Sequence, residues 1–222
     1  MLIDFHTQAI TMLLEGHEED GVHRLYECLT IAKKWCEEGI PPQPQEEDED
    51  MTVNAKIFEI SLDEVIDDSG SQADLCTAVS MYRYLFGTDG ITRSRNRATL
   101  IQLVAVITYN VAVTLHERGL ACGDTTLVGR ARSAYCFSLR ILEHPSVATG
   151  DFDLSALELA ILNNLGHVCN LFLDYEGLSR MRERMQTKLA SVQPQTVCAY
   201  DFFHQSCLVS QKRPDSTLAP AA

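Results

Sequence analysis

Apolar residues recur along the chain at helical spacing. Leu2 to Leu14 places Phe5, Ala9 and Met12/Leu13 on one face, and Gly16 follows as a stop. A second helix is predicted from about Gly21 to Glu37, where Val22, Leu25, Leu29, Ala32 and Cys36 step by three or four residues as one stripe. Gly39 and Pro41-Pro42 end it. A long helix is predicted from residue 98 to about Arg118, with Gly119 as its stop. The next begins near Thr126 and buries Val128, Ala131, Tyr135, Leu139 and Leu142, with Pro145 beyond its end. A further helix, capped by Asp151 or Asp153, carries Leu154, Leu157, Ile161, Leu165, Val168 and Phe172. Its partner starts at Tyr175 and carries Leu178, Met181, Met185, Leu189 and Val192. Every strong signal has the helical period, and no strand pair stands out.

The middle of the chain is less regular. Pro41 to Asp50 (PPQPQEEDED) reads as a solvated linker, because its prolines break helices and its acids repel one another. Val53 to Leu62 alternates partly, as an extended segment would, and Asp67-Asp68-Ser69-Gly70 is turn chemistry. Ala73 to Phe86 fits a helix through Leu75, Val79, Tyr82 and Phe86. Gly87 to Arg97 reads as a loop whose Arg93, Arg95 and Arg97 neutralise local acid rather than grip an acidic partner. The organisation expected is a first helical hairpin over 1–40, an acidic linker and irregular insertion over 41–97, two hairpins over 98–195, and a C-terminal segment and tail over 196–222.

One stretch raises the question of a membrane. Ala98 to Leu115 carries no charge over 18 residues, the lower limit for a span. Its Gln102, Thr108, Asn110 and Thr114, and its charged flanks, favour a buried helix of a soluble protein.

Charge narrows the partners. Among 222 residues, Lys and Arg number 18 and Asp and Glu 31, for a net charge of −13. Such a chain repels phosphate backbones, so nucleic acid and anionic membrane are not expected partners. Hydrophobic content of 45 % argues against disorder. The start lacks a basic region followed by an apolar run, and the eight cysteines are scattered with no C-x-x-C pair. Both point to a cytoplasmic protein with reduced thiols.

Candidate chemistry is sparse. Phosphate-loop, dinucleotide, nucleophile-elbow and H-E-x-x-H motifs are absent, so neither an enzyme nor a cofactor is expected. Cys198, His204 and Cys207 match no common zinc module, and Tyr200-Asp201-Phe202-Phe203 reads as a packed aromatic segment. Arg180, Arg182 and Arg184 read as a solvated, self-paired face, and Met181 and Met185 as core.

Three helical hairpins align on small residues. Asn163-Asn164-Leu165-Gly166-His167 precedes Asp174-Tyr175-Glu176 at a turn. Tyr109-Asn110-Val111-Ala112-Val113 takes the equivalent place in the second unit, and Ala9, Gly16 and Gly21 in the first. A small side chain at a helix crossing lets two backbones approach, and hairpins left with a bare apolar face must stack. The third unit resembles a tetratricopeptide repeat of the kinesin-light-chain style, and Gly16 to Leu29 resembles the second half of that repeat. Tyr109 to Gly119, Ser133-Ala134-Tyr135 and the Ala-Pro-Ala-Ala at 219–222 are similar to a group of uncharacterised tetratricopeptide-like proteins of diatoms. The likeness covers residues 2–38 and 98–192. The small positions are separated by 103 and 54 residues, unlike the family's regular period of about 34. The fold expected is therefore all-α: a tetratricopeptide-repeat-like (TPR-like) array of hairpins, a short, irregular α-solenoid with inserted loops.

The resemblance implies a groove lined by the first helix of each hairpin. It also implies that Asn two residues before the small position bonds a bound peptide's backbone. Asn110 and Asn164 match that place, and Thr7 replaces it in the first unit. An amide side chain offers a donor and an acceptor to an extended peptide. Asn163, His167 and Asn170 form a polar strip beside it, with His116 and Tyr109 on the second unit. The function expected is a protein-protein interaction module, its partner another protein or a peptide. A structural helical subunit of a larger complex and an enzyme with an unrecognised site are the alternatives.

Overall fold

The computed structural model describes residues 2–38, 56–61, 81–89, 97–145, 147, 150, 153–194, 197 and 199–209. The linker 41–50, the turn at 67–70, Cys76, Arg93, Arg95, Asp151, Cys198 and the tail from 210 lie outside these residues, as does the Cys36 side chain.

Helices dominate. In chain order they are α1 (Leu2–Leu14), α2 (Glu18–Glu38), α3 (Arg97–Cys122), α4 (Thr125–Leu142), α5 (Ser155–Leu171), α6 (Tyr175–Ser191) and α7 (Tyr200–Val209). Between α2 and α3, strands β1 (Lys56–Ser61) and β2 (Tyr84–Asp89) pair antiparallel, Lys56 opposite Asp89 and Ser61 opposite Tyr84. Each helix packs on the next, α1 on α2, α2 on α3, and so on to α7. The predominantly helical class expected from the apolar period holds.

The hairpin turns α1–α2, α3–α4 and α5–α6 share one geometry. Gly16 (φ 81°), Gly123 (φ 65°) and Leu173 (φ 56°) are left-handed. The N–H of the next residue reaches back to Met12, Gly119 and Cys169 C=O at 2.8 Å in each case. This six-to-one bond satisfies a carbonyl that the helix end leaves orphaned. Asp124 then caps α4, accepting from Thr126 and Leu127 N–H, and Asp174 caps α6, accepting from Gly177 N–H.

Four expectations are corrected. Gly119 does not stop α3, which runs on to Cys122; an added Cβ there would stand 2.7 Å from Val128 Cγ2, so the glycine marks a close crossing with α4. The helix expected through Tyr82 and Phe86 is not formed in its described part, where 81–83 is irregular and 84–89 is β2. Its apolar spacing serves a strand buried on both faces, which periodicity does not separate from a helix. The loop expected over 87–97 is strand at 87–89 and helix at Arg97, and Phe172 lies beyond the end of α5, exposed.

The apolar helix α3 is long enough to cross a membrane, yet 89 % of its most apolar window is buried inside the protein. It is the centre of the core, with Leu103, Val106, Ile107, Tyr109, Ala112 and Val113 closed to solvent. Covered by α2, α4, α5 and β2, it needs no polar face.

Candidate functional site

The asparagines singled out by sequence meet an extended strand, and the strand is the chain's own. β2 and the residues before it lie against α1, α3 and α5, the first helix of each hairpin. Phe86 N–H donates to Asn110 Oδ1 at 2.9 Å, and Asn110 Nδ2 donates to Phe86 C=O at 2.9 Å. Four residues earlier, Tyr82 N–H donates to Asn164 Oδ1 at 2.7 Å, and Asn164 Nδ2 donates to Tyr82 C=O at 3.0 Å. In an antiparallel ladder, alternate residues turn both polar groups away from the partner strand. Phe86, opposite Glu59 of β1, turns its N–H and C=O toward the helices. The two side-chain amides thus take the place of a third strand.

The bonding fixes the state of a histidine. Asn110 Nδ2 also faces His6 Nε2 at 3.0 Å. An amide nitrogen only donates, so Nε2 accepts and the ring proton sits on Nδ1, which faces Thr88 Oγ1 at 3.3 Å. The ring is neutral in this arrangement. Burial lowers its pKa to about 4.

A second chain of polar groups runs inward from Asn164. Its Nδ2 reaches Tyr135 Oη at 3.1 Å and Tyr109 Oη at 3.4 Å. Tyr135 Oη meets His116 Nδ1 at 3.4 Å, and His116 Nε2 meets His167 Nδ1 at 3.1 Å. Burial, then the neighbouring His167, lowers the His116 pKa to about 3. Burial holds both tyrosine hydroxyls far above their ordinary range.

Side chains of the strand are held individually. The Tyr82 ring lies 4.7 Å from Phe203 and 5.2 Å from Phe202, both on α7. Phe86 meets Tyr109 edge-on at 5.2 Å. The Arg83 guanidinium grips Glu117 of α3 with two bonds of 2.6 and 2.9 Å. Burial pushes the carboxyl of half-buried Glu59, on β1, above its usual range.

The remaining predicted residues fall behind this line. Tyr109 lies under Phe86, fully buried. His116 and His167 sit between α3, α4 and α5, shut off from solvent. Asn163 is buried, donates to Asn164 Oδ1 at 3.2 Å, and lines a small cavity with Gly166, Met181, Arg182 and Ser206. Asn170 is half-buried. Asn163, His167 and Asn170 therefore do not form one open polar strip. Arg182, expected on a solvated face, is half-buried at that cavity.

Sequence reasoning missed His6 and strand β2, and it read Phe203 as packed without a partner; the partner is Tyr82. In the first unit His6 faces the strand while Thr7 is exposed. The spacing of His6, four residues after Leu2 and three before Ala9 on one helix face, was the available signal. No group of three or more metal-ligating side chains occurs among the described residues. Comparison with protein-family models, curated proteins and solved structures finds no match to this chain.

Proposed function

We propose that the chain is a protein-interaction module, a short and irregular TPR-like array whose groove reads the main chain of an extended segment. One observation carries this. Asn110 and Asn164, in corresponding places on α3 and α5, each hold both the N–H and the C=O of a single residue. An amide is complementary to a peptide unit whatever the side chain, so the pair recognises extended backbone as such.

The test presents a library of extended peptides to the chain carrying Phe86→Ala, whose own strand is loosened. Peptides retained by this chain and lost when Asn110→Ala and Asn164→Ala are added, with helical circular dichroism kept, support the reading. Retention by both chains refutes it. The second reading, a structural helical subunit, is favoured by the complete burial of Tyr82, Leu85 and Phe86, at 1, 0 and 1 % exposure. It predicts that neither chain retains a peptide.

A further inference from the structure

We infer that residues 81–88 are an internal stand-in for the groove's external ligand, and that this ligand is an extended peptide with the same signature. That signature is two large aromatic residues four apart, a cation directly after the first, and a hydroxyl two residues after the second. The inference rests on the binding reading above and names the ligand class of the same groove.

The helices do not need the strand for their own continuity. α2 packs directly on α3, although 58 residues of chain separate them, so the stack passes from the first hairpin to the second without it. The strand lies in space on α1, α3 and α5, not between the helices it joins in sequence. It is topologically a guest on a face that three hairpins build together.

The guest is bound by two separable sets of contacts. The asparagine pairs grip backbone at Tyr82 and Phe86 and set a four-residue repeat along any strand that uses both. The same two residues carry the rings that fill the flanking sites, Tyr82 against Phe203 and Phe86 against Tyr109. The two-bond ion pair of Arg83 with half-buried Glu117 selects a cation directly after the first aromatic. Thr88 Oγ1 faces His6 Nδ1–H, which selects an acceptor at that place. A protein of net charge −13 attracts a basic-aromatic peptide and repels an acidic one.

The experiment uses a fluorescein-labelled peptide of residues 81–88 (MYRYLFGT) and the full chain carrying Phe86→Ala. Saturable binding is expected, tighter than that of a scrambled peptide by about tenfold or more. Replacing the peptide's Phe86 or Tyr82 equivalent by Ala abolishes that margin, as does Asn110→Ala with Asn164→Ala in the chain. Equal binding of the scrambled peptide overturns this inference and leaves the main-chain groove standing. Binding of neither peptide overturns both this inference and the binding reading. Hydrogen exchange on the unmodified chain is a second readout that no folding defect can blur. Tyr82 and Phe86 amides are expected to exchange through an opening that leaves α3 and α5 amides protected. Exchange of all of them together, only on global unfolding, makes the strand an inseparable part of the core and overturns the inference.

Discussion

Asn110→Ala removes three bonds at once, two to Phe86 and one to His6. The Phe86 main-chain groups have no second partner to turn to. Their direction is set by the pairing with β1, which lies on the opposite edge. Leaving a buried N–H or C=O unmade costs about 1–3 kcal/mol each. For the two Phe86 groups the expected loss is therefore about 2–6 kcal/mol, a large part of the roughly 5–15 kcal/mol that holds a domain together. Urea unfolding followed by far-ultraviolet circular dichroism and by the fluorescence of Trp35, half-buried on α2, measures it. Asn110→Asp sharpens the argument. A carboxylate still accepts from Phe86 N–H but offers nothing to Phe86 C=O or to His6 Nε2. Protonation of His6 then supplies a donor, so this variant regains stability as pH falls, opposite to the parent. A loss below about 1 kcal/mol for Asn110→Ala, with exchange at the Phe86 amide unchanged, would refute the view that the side-chain amide holds the strand.

Three further outcomes follow from the same geometry. Leu173 is a left-handed, 68 % exposed leucine where the other two turns have glycine; Leu173→Gly is expected to raise stability by about 1 kcal/mol, and a lower melting temperature would contradict this. Gly119→Ala drives a Cβ to 2.7 Å from Val128 Cγ2 and 3.0 Å from Val128 N, costing about 1–3 kcal/mol, whereas Gly166→Ala meets Leu178 only at 3.5 Å and is neutral or stabilising by up to about 1 kcal/mol; equal effects in urea unfolding would discredit the crossing. His6 and His116 are neutral in the fold, with pKa values lowered from 6.5 to about 4 and about 3. The unfolded chain binds those protons first, so the stability they give is full above pH 6.5 and is lost as pH falls toward 4. Glu59, raised by burial, acts in the opposite sense, one group against two. Melting temperature is expected to drop between pH 6.5 and 4.5, and a flat or rising profile would reject the assignment.

α1, α2, α4 and α6 were legible because each carries a stripe at period 3.6, with recognisable end chemistry at Gly16 and Asp174, whereas α3 announced itself by an uncharged apolar run. Gly119 misled because glycine serves two purposes, ending a helix or admitting a neighbour, and only the position of Val128 decides which. The same ambiguity hid β2. Tyr82, Leu85 and Phe86 are buried on all sides, and such a strand lacks the alternation that announces one. Asn110 and Asn164 were visible as polar residues in apolar helices, and the resemblance gave them a role. What no spacing revealed is that their partner lies 24 and 82 residues away in the same chain. His6 escaped for a related reason, since its partners at Asn110 and Thr88 exist only after folding.

The seating of Tyr82 has a consequence for how the chain is made. Its ring rests on Phe203 and its backbone on Asn164, residues that leave the ribosome long after it. Until then the uncharged flank of α3 emerges without the helices that later cover it. The nascent chain must therefore carry an unfinished apolar surface until Phe203 has emerged, and the docking of Tyr82 waits on α7.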